Sequence, residues 1–154
     1  MNNFTRSGIL FVVSAPSGTG KTTLCANVRQ TPDLVYSISC TTRPIRKGEK
    51  DGADYYFLSQ GAFEKRIQSG EMLEHADVYG HFYGTPKGPI LEHLAAGRDV
   101  LLDIDVQGAR QIRDSQDPKI REALADIFIM PPDLEELRRR LEGRGTETAA
   151  RSPP

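Results

Sequence analysis

Apolar residues in this chain fall into short continuous runs separated by polar, turn-like stretches. Ile9-Leu-Phe-Val-Val13 is such a run, rich in β-branched residues, and fits a strand buried on both faces of a parallel sheet. A glycine-rich turn follows, then a helix-like stretch from Lys21 to about Arg29, stopped by Thr31-Pro32. Val35 to Thr42 reads as a second strand, and Arg43 to Asp54 as a basic, glycine-containing turn region. Tyr55-Tyr-Phe57 opens a strand-rich insert that includes Glu71 to Tyr83, with a helix between them around Gln60 to Gln68. Pro86 opens another helix as far as Ala96, ended by Gly97. Asp99-Val-Leu-Leu-Asp-Ile-Asp105 repeats the buried-strand pattern and ends in acids, and a helix follows from about Gln107 to Arg113. Asp126-Ile-Phe-Ile-Met130 is another such strand; Pro131-Pro132 breaks it and Asp133 caps a helix through about Leu141. Buried strand alternating with helix predicts an α/β class, a doubly wound parallel sheet.

Composition narrows this picture without changing it. A chain of 154 residues, 38% apolar and 27% charged, suits one domain with its own core. The formal net charge of -1 gives no broad basic field for nucleic acid or an anionic membrane. Cys25 and Cys40 form no close pair and read as small buried thiols of a reducing compartment. Ile9–Val13 is too short for a signal or membrane segment, so a soluble cytoplasmic protein is expected. His75, His81 and His93 lack metal-ligand spacing, and no Ser–His–Asp arrangement is present.

The strongest chemical signal lies between the first strand and first helix. Ala15-Pro-Ser-Gly-Thr-Gly-Lys-Thr22 matches the phosphate-loop pattern G-x-x-x-x-G-K-[ST], with Ala15 in place of the first glycine. Ala15, Pro16, Ser17, Gly18, Thr19, Gly20, Lys21, Thr22 and Thr23 are the expected nucleotide-binding residues. Backbone N–H groups around Gly18 to Lys21 wrap a phosphate, and the helix N-terminus adds its positive dipole end. Lys21 neutralises the β- and γ-phosphates and Thr22 ligates Mg²⁺. Alanine at position 15 is tolerable if φ stays negative there. Asp103 and Asp105 alternate at the end of a core strand on one expected face, where a carboxylate such as Asp103 holds Mg²⁺ or its waters.

A phosphate loop alone says only that a nucleoside triphosphate binds. The segments Ser39-Cys-Thr-Thr-Arg-Pro-Ile-Arg-Lys-Gly-Glu49, Asp51-Gly-Ala-Asp-Tyr55, Glu71-Met-Leu-Glu-His75, Tyr83-Gly-Thr85 and Leu102-Asp-Ile-Asp-Val-Gln-Gly108 say more. In sequence and order they resemble guanylate kinase, from about Gly8 to Thr148. The resemblance implies a P-loop NTPase fold with a small GMP-binding insert and a partial lid. The core would be 8–34 and 98–133, the insert and following helix 35–97, the partial lid 134–148, and an atypical tail 149–154. It implies ATP and Mg²⁺ as cofactors, GMP or dGMP as substrate, and direct in-line transfer of the γ-phosphoryl. Arg43, Arg46, Tyr55 and Tyr83 would hold the GMP phosphate. Ser39, Glu74, Thr85 and Asp105 would read the guanine, whose N1–H and N2–H₂ donors need acceptors. Lys21, Arg43, Arg138 and Arg144 would be the catalytic cations, the last two from a lid helix over ATP. An alternative origin for the lid charges is a solvated helix face with i,i+4 pairs such as Glu135 to Arg139.

After Gly145-Thr-Glu-Thr148 the resemblance stops, and the chain ends Ala-Ala-Arg-Ser-Pro-Pro154. The expectation is a family member lacking the rest of its lid and a final core strand beside Asp126–Met130, with weak transfer as a result. Two other readings are a guanylate-kinase-like binding module without catalysis and a P-loop kinase of another small substrate. The module is disfavoured by the intact Gly20, Lys21 and Thr22, and the other kinase needs neither Glu74 nor the Tyr55/Tyr83 pair.

Overall fold

A computed structural model describes residues 6–143. The core is a four-stranded parallel sheet in the order β2 (Leu34–Tyr36), β7 (Asp99–Asp103), β1 (Leu10–Ser14) and β8 (Leu124–Phe128). Leu10 and Val12 point to one face, where Val100, Leu102 and Ile104 join them in a fully apolar layer. Helices α3 (Lys87–Ala95), α4 (Val106–Arg113) and α5 (Pro118–Ala123) cover that face through Ile90, Leu94, Ala109, Ile112 and Ile120. Val13 and Leu101 point the other way, onto Cys25 of α1 (Lys21–Val28). Burial of both faces accounts for the continuous apolar runs. Among the described residues no helix is long and apolar enough to cross a membrane.

A second sheet, in the order β4 (Tyr56–Phe57), β3 (Cys40–Thr41), β6 (His81–Pro86) and β5 (Met72–Val78), forms the insert. Helix α2 (Gln60–Gln68) buries Phe63 against it, in stacked contact with Phe82. Ser59 caps this helix by accepting from the Ala62 N–H at 3.2 Å. Gly84 of β6 sits where a Cβ would lie 2.9 Å from both the Glu74 carbonyl and the Phe63 ring, and 3.1 Å from the His75 Cβ. Gly84→Ala is therefore expected to cost roughly 2 kcal/mol by overpacking. A urea midpoint equal to that of the unsubstituted chain would contradict this packing.

Three sequence expectations are corrected here. The run Val35 to Thr42 is not one strand: Leu34–Tyr36 belongs to the core sheet and Cys40–Thr41 to the insert, so the chain changes sheets at Ser37–Ser39. The strand expected at Asp126–Met130 begins at Leu124, and Ile127, Phe128 and Met130 are exposed beyond its middle. The turn before it contains α5, which has an Asp117 cap and Pro118 in its first turn. Finally, Asp103 and Asp105 do not share a strand face. The strand ends at Asp103, and Asp105 is the N-cap of α4.

Candidate active site

The C-terminal ends of β1 and β7 point toward the insert, the usual place for a ligand in an open parallel sheet. The loop after β1 is shaped by Gly18 and Gly20, whose φ values of 86° and 92° belong to glycine. No positive φ is found at Ala15, as its side chain requires. Thr19 donates its hydroxyl to the Pro16 carbonyl at 3.0 Å and tightens the loop. Lys21 opens α1, and its ammonium donates to the Ile104 carbonyl at 2.9 Å and pairs with the Asp103 carboxylate. Thr22 and Thr23 are exposed in the first turn of that helix. Cys25, one turn further on, has its thiol pushed up to about 11 by burial and then by Asp103, so it stays protonated.

Facing the loop is a cavity of about 190 Å³ whose wall includes Lys21, Ser39, Tyr55, Glu74, Tyr83, Asp103 and Asp105. Seven residues expected from sequence thus meet in one place, drawn from both sheets. Glu74 is 5% exposed, and Thr85 donates its hydroxyl to Glu74 Oε1 at 2.5 Å. Burial raises the Glu74 carboxyl to about 7, Thr85 opposes that rise, and the Asp105 charge adds to it. Asp105 accepts from the Gly108 N–H through Oδ1 at 2.8 Å.

At the other end of the site stands Arg43, 8% exposed. Its guanidinium forks onto both oxygens of Glu49 at 2.9 and 2.8 Å and donates to the Pro44 carbonyl at 2.8 Å. It lies 5.4 Å from the Tyr55 ring and 5.6 Å from the Phe57 ring, and Tyr55 meets Tyr83 edge to face at 5.9 Å. The Arg43 fork, with the Arg46 N–H, holds the Glu49 carboxyl down to about 2. A group depressed in this way contributes its stability above its unfolded value near 4.5 and loses it as pH falls through about 2. The Arg46 side chain is exposed and does not line the cavity.

Helix α6 (Leu134–Gly143) follows an Asp133 cap that accepts from the Glu136 N–H at 2.7 Å. Leu137 and Leu141 lie on Gly18, so the helix sits on the phosphate loop. Arg140 donates to the Thr19 carbonyl at 3.3 Å and pairs with Glu136. Arg138 is exposed on the helix, while Arg144 lies outside the described residues. Charge pairing also differs from expectation: Glu136, not Glu135, holds Arg139 and Arg140. Arg140 is the site residue that sequence reasoning missed. The available signal was the Leu137/Leu141 stripe, which fixes the face turned to the loop.

A parallel sheet, a glycine loop entering a helix, and a lysine and carboxylate at its mouth define the P-loop class of nucleotide-binding proteins. The guanylate kinase family model matches residues 7–152. A guanylate kinase of Ruegeria pomeroyi is 51% identical over 94% of this chain and 67% of its own length. One from Symbiobacterium thermophilum is 49% identical over 92% of this chain and 65% of its own. The crystal structure of guanylate kinase from Anaplasma phagocytophilum superposes with a TM-score of 0.69 at 40% identity, covering 92% of this chain and 69% of that one. The chain belongs to the guanylate kinase family, and it spans about two thirds of the length of these relatives.

Proposed function

We propose that the chain binds ATP at the glycine loop and GMP, or dGMP, in the facing cavity, and serves transfer of the γ-phosphoryl to give ADP and GDP. The observation that carries this reading is the buried Glu74 carboxylate, held by Thr85 across one cavity from Lys21. Guanine presents N1–H and N2–H₂ donors, which match ionised Glu74 and the free oxygen of Asp105, with Ser39 beside them. The GMP phosphate is assigned to Arg43, Arg46, Tyr55 and Tyr83, with Glu49 orienting the Arg43 fork.

On the ATP side, loop N–H groups and Lys21 take the phosphates, and Lys21 exchanges Asp103 for a phosphate oxygen as they bind. Arg140 meets the loop from α6; Arg138 and Arg144 are further lid cations in this reading. The Thr22 hydroxyl and Asp103 carboxylate are hard oxygen donors that suit Mg²⁺, which neutralises phosphate charge when bound. Catalysis then rests on positioning and charge neutralisation, with no covalent enzyme intermediate.

The test is product analysis with MgATP and GMP. ADP and GDP in equal amounts, with none from AMP, is the expected result. ADP with free phosphate and no GDP would make the chain an ATPase and overturn the reading.

A further inference from the structure

Glycine in a helix costs about 1 kcal/mol relative to alanine. Gly108 nevertheless occupies the first turn of α4, at an ordinary negative φ that alanine adopts without strain. The reason for it is spatial. A Cβ at this position would lie 2.4 Å from Glu74 Oε2 and 2.9 Å from its Cδ, with the Ile104 methyl next at 3.3 Å. Carboxylate and helix backbone pack so closely that no side chain fits between them. Thr85 already fixes the other oxygen, so the carboxylate cannot turn aside and keep that bond.

A second contact on the same helix acts one residue along the strand. β5 is the outer strand of its sheet, so its free edge has backbone groups to satisfy. Gln111 supplies them: its amide donates to the His75 carbonyl at 2.6 Å, and the His75 N–H donates to its Oε1 at 3.1 Å. One side-chain amide imitates a neighbouring strand beside Glu74. The β5–β6 register shifts between Met72 and Glu74, the kind of irregularity that re-aims a side chain.

We propose that helix α4 is the positioning element for guanine recognition, with Gly108 as the cradle of the Glu74 carboxylate and Gln111 as the strap that holds its strand. The proposal rests on the guanine reading above. It makes a core helix set the specificity of a site whose acid belongs to the insert. Neither residue is assigned a substrate contact: Gly108 acts through Glu74, and its N–H also holds Asp105, while Gln111 acts through the strand that carries Glu74.

Calorimetric titration of the unsubstituted chain, Gly108→Ala and Gln111→Ala with GMP, IMP and a non-hydrolysable ATP analogue tests this. IMP lacks the 2-amino group, so the GMP-to-IMP ratio reports the carboxylate's placement. Gly108→Ala is expected to lose roughly tenfold or more in GMP affinity, with the ratio falling toward one. Its ATP-analogue affinity stays within about twofold, while its thermal midpoint falls, because a Cβ 2.4 Å from Glu74 Oε2 forces the buried carboxylate off its Thr85 bond. Gln111→Ala, which leaves the cradle intact, is expected to lose about threefold for GMP with no loss for the analogue. GMP affinity and ratio within about twofold of the unsubstituted chain in both variants would overturn the proposal, as would equal losses for GMP and the analogue. An unsubstituted chain that binds GMP and IMP equally would remove the guanine reading and this proposal together.

Discussion

Replacing Glu74 with glutamine is expected to make the chain more stable at alkaline pH while weakening GMP binding by roughly 100-fold. The stability half follows from burial. The Glu74 carboxyl titrates at about 7 in the folded chain against an ordinary 4.5. A raised carboxylate contributes fully below the unfolded value and loses that contribution as pH rises through the folded one. At pH 8.5 the gap between 4.5 and about 7 corresponds to roughly 3 kcal/mol of destabilisation, which a neutral amide of the same shape avoids. Near pH 4 both side chains are neutral and the difference vanishes. The binding half follows from hydrogen bonding: one acceptor becomes a donor aimed at guanine donors. Urea midpoints of both chains at pH 4 and 8.5, with GMP titrations at pH 8.5, check the pair of effects. A glutamine variant that is less stable at pH 8.5, or that binds GMP as before, would contradict the assignment of this carboxylate.

Lys21→Met is expected to lower phosphoryl transfer by roughly two to three orders of magnitude, since it removes the cation at the developing phosphate charge. GMP affinity should change by no more than about threefold, because the guanine and GMP-phosphate contacts are assigned to other residues of the cavity that Lys21 also lines. The substitution also strips Asp103 of its partner in a mostly buried pair, so the single variant is destabilised. Lys21→Met combined with Asp103→Asn is expected to recover that stability but not the transfer. Recovery of both would mean that the lysine acts only as a structural partner of Asp103.

Local signals carried much of the fold. The glycine loop was legible because its spacing and the strand before it are contiguous in sequence, and the helix expected around Gln60 to Gln68 matches α2, whose Ser59 cap the structure adds. The run around Val35 to Thr42 misled because β-branched residues continue through it. Only tertiary demand breaks it at Ser37–Ser39: Leu34–Tyr36 supplies an edge strand of the core sheet and Cys40–Thr41 an inner strand of the insert sheet. Asp105 looked like a strand residue because the alternation at Asp103 extends to it. Its role as a cap is decided by where α4 starts. Most of the cavity lining was nameable in advance through the resemblance to guanylate kinase, whose motifs carry those residues in order. Arg140, Gly108 and Gln111 were not, because each acts through a packing relation between segments distant in sequence.

The central claim is that a buried carboxylate next to a phosphate loop selects guanine over other bases. Adenine would set its N6 amino donor and N1 acceptor wrongly against that acid and leave it unpaired. Titrating GMP and AMP separately into the chain at pH 8 tests this most directly. The predicted result is saturable GMP binding at one site, with AMP weaker by at least about 100-fold. Equal affinity for the two nucleotides would contradict it.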